Sequence, residues 1–469
     1  VSSTARIWLA LAGLAAGSWH GQPGGAFPWL AGAAAVGGGA ALLRRRSAVA
    51  VAGLTALAFG LGWAGAWARA DARAPIEALA ARVPRCTLDA TLIESAGGLG
   101  SLASVRRARC EGFEPAIDPG VVVLDGEPAA SGGRVRGEGW LVPLGREDFD
   151  AARRALGARA YFDARDLAVS PPRAPLFRIA FEVRKGLERA TAPLDPARAA
   201  LLRGLAVGDT AELDPMVVES LRRSGLAHLV AVSGSNVAIV LTAVAAALRH
   251  IALWTRVGVA LIALVLFAIV VGPEPSVLRA ALMGGIGLVA LVAGRRARPM
   301  NALGLALVVL VGARPAMVGS VGLHLSAAAT AGIVAWSHPL AARLSRLPRP
   351  VALALGATLA AQVAVAPLVV GVFGRLSLAG PAANLVAAPA VPPATVLGLG
   401  AAVAGAVHAP AGRVAAWLAE PFVAWIMMVG TWFGAQEWSE VEMGRAWGAW
   451  LLLLLVAAAA RTLVRRARG

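Results

Sequence analysis

Lysine is nearly missing from these 469 residues: of 44 basic side chains, only Lys185 is not an arginine. A phosphate-binding loop of the form G-x-x-x-x-G-K-[ST] needs a lysine followed by serine or threonine. Lys185 is followed by Gly186, so no P-loop ATPase is expected of this chain. Charge of either sign is also sparse. Charged residues make up 15% of the chain and hydrophobic ones 58%, whereas a soluble domain has about a quarter charged. A soluble enzyme is excluded, and the same apolarity excludes a disordered chain. Histidines are few and scattered, at 20, 228, 250, 324, 338 and 408, with no H-x-H-x-D-H cluster. No metal centre, no cofactor and no catalytic activity are therefore expected.

What is present is a succession of apolar runs. A membrane crossing takes about 20 apolar residues, and runs approaching that length recur along most of the chain, which reads as a polytopic α-helical membrane protein. The first three lie at 7–19, 28–43 and 47–67, with Arg44, Arg45 and Arg46 between the second and third. A signal peptide competes for the first run, but the spans that follow at once favour a retained helix. Arginine clusters mark cytoplasmic loops. They put 44–46 and the amino terminus inside and the segment after Trp67 outside.

Between 69 and 174 the character changes, with 15 arginines balanced by 15 acidic residues. Short β-like stretches, Cys86–Glu94, Ser104–Phe113, Val121–Leu124, Gly133–Pro143 and Ala160–Val169, alternate with turns. A polar helix over 147–156 fits before the fifth. That order suits a small all-β barrel of OB type. Such barrels often stack single-stranded nucleic acid on aromatics, but aromatics here are sparse: Phe113, Trp140, Phe149, Tyr161 and Phe162. A structural ectodomain and a nucleic-acid contact both remain open. The only cysteines, Cys86 and Cys110, fall on the first two expected strands. In an oxidising extracytoplasmic compartment they would form a disulfide.

Residues 175–192 (PLFRIAFEVRKGLERATA) form an amphipathic helix too charged to span, expected on the outer membrane surface or the top of the bundle. From 193 onward comes the main helical domain. Nine apolar segments follow, at about 225–248, 257–272, 276–294, 300–312, 316–336, 351–373, 378–406, 414–435 and 446–464. Arginines cluster at every second junction. Charge and count agree on twelve crossings with both termini cytoplasmic, those at 225–248, 300–312 and 378–406 being candidates for broken or re-entrant segments.

The stretch Leu201-Leu202-Arg203-Gly204-Leu205-Ala206-Val207-Gly208-Asp209, followed by Gly225 through Gly234, resembles the core of the ComEC-type competence family of inner-membrane DNA uptake proteins. Further matches follow in order. Pro275 to Met283 resembles the family's turn followed by Arg-Ala and Met, Leu323-His324-Leu325-Ser326 its F-Q-L-S segment, and Pro381-Ala382-Ala383-Asn384-Leu385 its N-L segment. The order of parts also matches: three helices, an OB-like domain, an amphipathic helix, then a helical bundle. Departures are Asn236, where the family often has histidine, and His324 in place of glutamine. Many members also carry a carboxy-terminal metallo-β-lactamase-like domain, and this sequence ends at Gly469 just after its last apolar segment.

The resemblance implies a channel for single-stranded DNA in the bacterial cytoplasmic membrane. It also implies partners: an outer-side DNA receptor or pilus components, a nuclease on another chain, and a cytoplasmic helicase or single-strand-binding protein. Ser233, Gly234, Ser235 and Asn236 lie inside an apolar segment. They either break the helix to line a path or pack helices through small residues. Arg279 either meets DNA phosphate or pairs with Glu274. His228 and His324 are path-facing groups or packing hydrogen bonders, Ser326 belongs to the same motif as His324, and Asn384 is placed to stabilise an interrupted helix. Two other functions stay open: a secondary transporter of a small solute, and a membrane-embedded enzyme acting on lipid or envelope polymer. The enzyme would want a nucleophile–base–orienter set, and none is evident.

Overall fold

In the first half of the barrel, apolar residues alternate with polar ones. Cys86, Leu88, Ala90 and Leu92 are buried while Arg85 and Thr87 are exposed, which is the two-residue period of a half-buried strand. The computed structural model describes residues 80–95, 101–111, 121–124, 133–145, 158, 160–230, 232–272, 274–313, 317–318 and 320–451. The five expected strands are all there: β1 (Arg85–Ser95), β2 (Ser101–Cys110), β3 (Val121–Leu124), β4 (Arg134–Pro143) and β5 (Ala160–Ser170). They close into a barrel in the order β1-β2-β3-β5-β4, with β1 returning to β4. Every pairing is antiparallel except that of β3 with β5. The helix expected over 147–156 lies outside the described residues, as do Phe113 and Phe149. Phe162 is fully buried in the barrel core, whereas Trp140 is partly exposed.

Cys86 and Cys110 stand opposite each other across β1 and β2 and are joined by a disulfide, with Cα atoms 4.0 Å apart. The bond ties the ends of a hairpin at a sequence separation of 24.

Thirteen helices follow among the described residues: α1 (Pro175–Thr191), α2 (Pro196–Val207), α3 (Pro215–Arg223), α4 (Ala227–Val230), α5 (Gly234–Ala247), α6 (Leu253–Val271), α7 (Pro275–Val292), α8 (Pro299–Ala313), α9 (Val321–Arg343), α10 (Arg349–Phe373), α11 (Gly380–Ala387), α12 (Val391–Val407) and α13 (Ala409–Gly434). Four of them, α6, α7, α10 and α13, are long and apolar enough to cross a membrane. A fifth crossing results if α11 and α12, bent by 55° at their break, count as one. Twelve crossings were expected. The segments at 7–19, 28–43 and 47–67 lie outside the described residues, as does most of 446–464. Two of the three segments expected to be interrupted are so: 225–248 divides into α4 and α5, and 378–406 into α11 and α12. The third, 300–312, is the continuous but short helix α8.

The helix α1 buries one charged residue along with its apolar stripe: Ala180, Val183, Arg184, Leu187, Ala190 and Thr191 are buried. They recur at spacings of three and four, which marks a core-facing stripe, and α1 uses that stripe to pack against α12 and α13. Backbones come very close there. A Cβ on Gly186 would strike the Ala402 carbonyl, one on Gly405 the Gly186 carbonyl, and one on Gly412 would lie 2.5 Å from the Gly405 Cα. Three helices meet on three glycines, the small-residue contact typical of apolar bundles.

A two-stranded antiparallel sheet, β6 (Arg375–Ser377) with β7 (Glu440–Glu442), joins the chain after α10 to the chain after α13. Arg222 on α3 grips it, with its guanidinium 2.6 Å from Glu440 and also paired with Glu219. Arg222 holds the Glu219 carboxyl below the ordinary carboxylate range.

Two expectations follow. Cys110→Ser should lower the stability of the barrel by about 3 kcal/mol. The check is a reductant-dependent loss of protease resistance over 80–170 in the full chain, and equal resistance with and without reductant would refute it. Gly405→Ala should destabilise by about 1–3 kcal/mol through overpacking. That is readable as a lower unfolding midpoint in detergent, whereas Gly400→Ala, where a Cβ meets open space, should not.

Candidate functional site

The chain turns twice here, once before α4 and once between α4 and α5, and the first turn is built on a glycine. Gly225 adopts φ +74, a left-handed conformation that costs little only for glycine. A Cβ there would also stand 2.7 Å from the Gly380 Cα. After α4 the chain runs extended through Ser233 (φ −102, ψ 167) and re-enters helix at Gly234. Backbone polar groups freed by such a break need partners in apolar surroundings. Side chains from several elements supply them. Asn236 Nδ2 donates to the Leu205 carbonyl of α2 at 2.9 Å. Ser276 Oγ, at the start of α7, donates to the Val232 carbonyl at 3.0 Å. Asn384 Nδ2 of α11 donates to Gly380 at 2.8 Å and more distantly to Gly225 at 3.4 Å. Ser377 Oγ reaches the Arg223 carbonyl at 2.8 Å.

The break also gathers residues from three separate sequence motifs. Arg279, one turn into α7, lies against Gly234, where a Cβ would stand 2.6 Å from Nη2. Its Nε donates to Ser326 Oγ of α9 at 2.9 Å, and Nη1 lies 3.2 Å from Met283 Sδ. Ser233, Gly234, Ser235, Arg279 and Ser326 therefore meet in one place. Arg279 makes no ion pair with any acidic residue among the described ones. The alternative pairing with Glu274 is not formed: burial pushes the Glu274 carboxyl up, and the charge that opposes this shift belongs to Arg184.

Other expected residues play different parts. Asn236, read as a path-lining group, is 2% exposed and committed to α2. His324 is buried and hydrogen-bonds the backbone of Val318. Ser235 is exposed, and its hydroxyl contacts that of Ser233. His228 has accessible surface yet is crowded by protein, and it hydrogen-bonds the backbone of Gly225. Cys86 and Cys110 belong to the barrel and take no part.

One residue escaped the sequence reading altogether. Arg184 of α1 is 8% exposed, and its guanidinium caps the carboxy-terminal ends of two helices. It donates to Val207 at 2.8 Å at the end of α2, and to Val270 at 2.8 Å and Val271 at 3.3 Å at the end of α6. A cation there neutralises orphan carbonyls and the negative ends of helix dipoles. The signal was available, since Arg184 occupies an apolar-stripe position between Ala180 and Leu187.

The family model described as Competence protein matches residues 205–468, more than half of the chain, and that range holds the break and the residues around it from Leu205 to Asn384, though not Arg184. ComE operon protein 3 of Bacillus subtilis (strain 168) is 31% identical over 149 residues, covering 30% of this chain and 18% of that protein. The match thus spans less than a fifth of the relative's length. No solved structure matches. With its broken helix, its motif residues gathered at one point and the family match over the same segment, the chain belongs to the Competence protein family.

Proposed function

We propose that this chain takes part in DNA uptake during natural transformation, as a channel that moves single-stranded DNA across the cytoplasmic membrane. One observation carries the reading. Three motif segments far apart in sequence converge on one interrupted helix within the family-matched region, and they bring an arginine that pairs with no acid among the described residues. Interrupted helices at membrane depth are tolerated where they are buried or line water, and they build the binding sites of transporters. The path runs past His228, Ser233, Gly234, Ser235, Arg279 and Ser326, with Asn236, His324 and Asn384 holding its wall. A phosphate backbone is the same for every sequence, so such a path is sequence-blind and salt-sensitive.

The barrel sits outside at the mouth of the path, as an OB-like domain. Its disulfide supports an oxidising compartment. The termini lie in the cytoplasm. On this reading the chain acts as a conduit and not as a catalyst; among the described residues Ser233 Oγ contacts Ser235 and Asn236. An outer receptor or pilus delivers DNA, a separate nuclease removes the other strand, and a helicase or single-strand-binding protein draws the strand inward.

Deleting the gene should abolish entry of labelled DNA into the cytoplasm, and unchanged entry would defeat the proposal. Point variants separate the path from its scaffold. His228→Leu and Ser235→Leu should each reduce transformation at least about ten-fold at normal protein level in the membrane, because apolar bulk replaces polar lining. Asn236→Leu should instead lower the protein level, since the buried Leu205 carbonyl loses its donor at a cost of about 1–3 kcal/mol. Normal transformation in both path variants would show that the proposed path is not used. Purified chain should hydrolyse neither ATP nor DNA, and an activity abolished by a point mutation in this chain would contradict the channel assignment.

A further inference from the structure

Arg279 is 5% exposed and its contacts are neutral: a serine hydroxyl and a thioether. A buried guanidinium with no carboxylate is costly, and this one lies where the cost is greatest. Its Nη2 faces Gly234, the first residue of the 14-residue helix α5. A helix amino terminus carries about half a positive charge through its unpaired amides. The Ser233 side chain forms no cap at this end. The Asn236 amide is taken by the Ser233 carbonyl, whereas no acceptor for the Gly234 and Ser235 amides occurs among the described residues. Two positive groups thus stand against each other at the start of α5. Gly234 allows that approach, since a Cβ there would stand 2.6 Å from Nη2.

We infer that this helix start is a binding site for one phosphate group of a single strand, whose oxygens would accept from Arg279 Nη2 and from the Gly234 and Ser235 amides beside it, with the Ser233 and Ser235 hydroxyls at the edge. The inference rests on the strand path proposed above and specifies what that path recognises. A phosphodiester carries one negative charge, and it offers oxygens to several donors at once, the chemistry that helix amino termini favour. Such a contact reads the backbone and not the bases. Arg279 would neutralise each phosphate in turn as the strand passes, and Ser326 would hold the guanidinium in place.

The test uses the full chain purified in detergent without phosphate or sulfate. Unfolding is followed with added sodium sulfate, against sodium chloride at equal ionic strength. Binding of oligothymidylate is compared with that of its uncharged methylphosphonate counterpart by fluorescence anisotropy. Sulfate should raise the unfolding midpoint of the unmodified chain and not that of Arg279→Gln. The charged strand should bind at least about ten-fold better than the uncharged one. Arg279→Gln should erase that preference, and Arg279→Lys, which keeps the charge and loses the fork, should retain part of it. Without sulfate, Arg279→Gln should melt no lower than the unmodified chain, because an uncompensated charge has been removed.

A much lower midpoint for Arg279→Gln would make Arg279 a structural tie and overturn the inference, as would equal sulfate protection of both chains. Protection that responds to Arg279 but is given by phosphatidylglycerol and not by the strand would assign the site to a lipid headgroup, and it too would overturn the inference. The two readings also fail separately. Full phosphate recognition with normal DNA entry in Arg279→Gln cells keeps the site and removes it from the path. Loss of entry in His228→Leu, with no anion effect at Arg279, keeps the path and removes the site.

Discussion

The backbone's own polar groups are the constraint on which the helical part of this protein depends. A continuous helix satisfies its amides and carbonyls internally, and an interrupted one in apolar surroundings must find donors elsewhere. Here each interruption meets a side chain brought in from another element. Arg184 serves the ends of α2 and α6, Asn236 a carbonyl of α2, Ser276 the carbonyl of Val232, and Asn384 and Ser377 the turn around Gly225. Ser276 and Asn236 fasten the break between α4 and α5, and Asn384 and Ser377 the turn before α4. Most of the donors serve carbonyls. The amino-terminal amides of α5 are the part of the break left facing a cation.

Close packing makes those ties possible. The glycines at 186, 405 and 412 let α1, α12 and α13 approach backbone to backbone. That approach seats α1 deep enough for Arg184 to reach both helix ends. Without it, a helix bearing Arg178, Glu182, Lys185 and Arg189 would rest on the surface, and the carbonyls of Val207, Val270 and Val271 would lack their donor. On the opposite side of the chain's connectivity, Arg222 joins α3 to β7 across more than 200 residues of sequence. That contact combines two acidic partners with partial burial, so it holds more firmly than an isolated surface pair.

The barrel obeys a different economy. Its strands satisfy one another, its core is filled by Leu88, Leu141, Phe162 and their neighbours, and a disulfide joins its first hairpin. Two surface ion pairs, Arg85 with Glu138 and Arg136 with Asp89, join β1 to β4.

Periodicity and charge by themselves determined much of this. Alternating apolar residues located all five strands within a few positions, because a two-residue period leaves one face to bury. Apolar runs located the long helices, and glycine and polar residues inside two of those runs marked the breaks. The two cysteines, confined to paired strands, marked the disulfide. Pairings at long range could not be read the same way. Nothing local to Arg279 chooses between Glu274, five residues away, and Gly234 and Ser326, each more than forty away; the packing of α5, α7 and α9 makes that choice. Asn236 looked like path lining because it is polar in an apolar run, yet the approach of α2 turned it into a tie. Arg184 looked like surface charge because it is charged, yet its place on the helix stripe put it in the core. A side chain's identity fixes what it can bond, but only the folded chain decides which partner comes within reach.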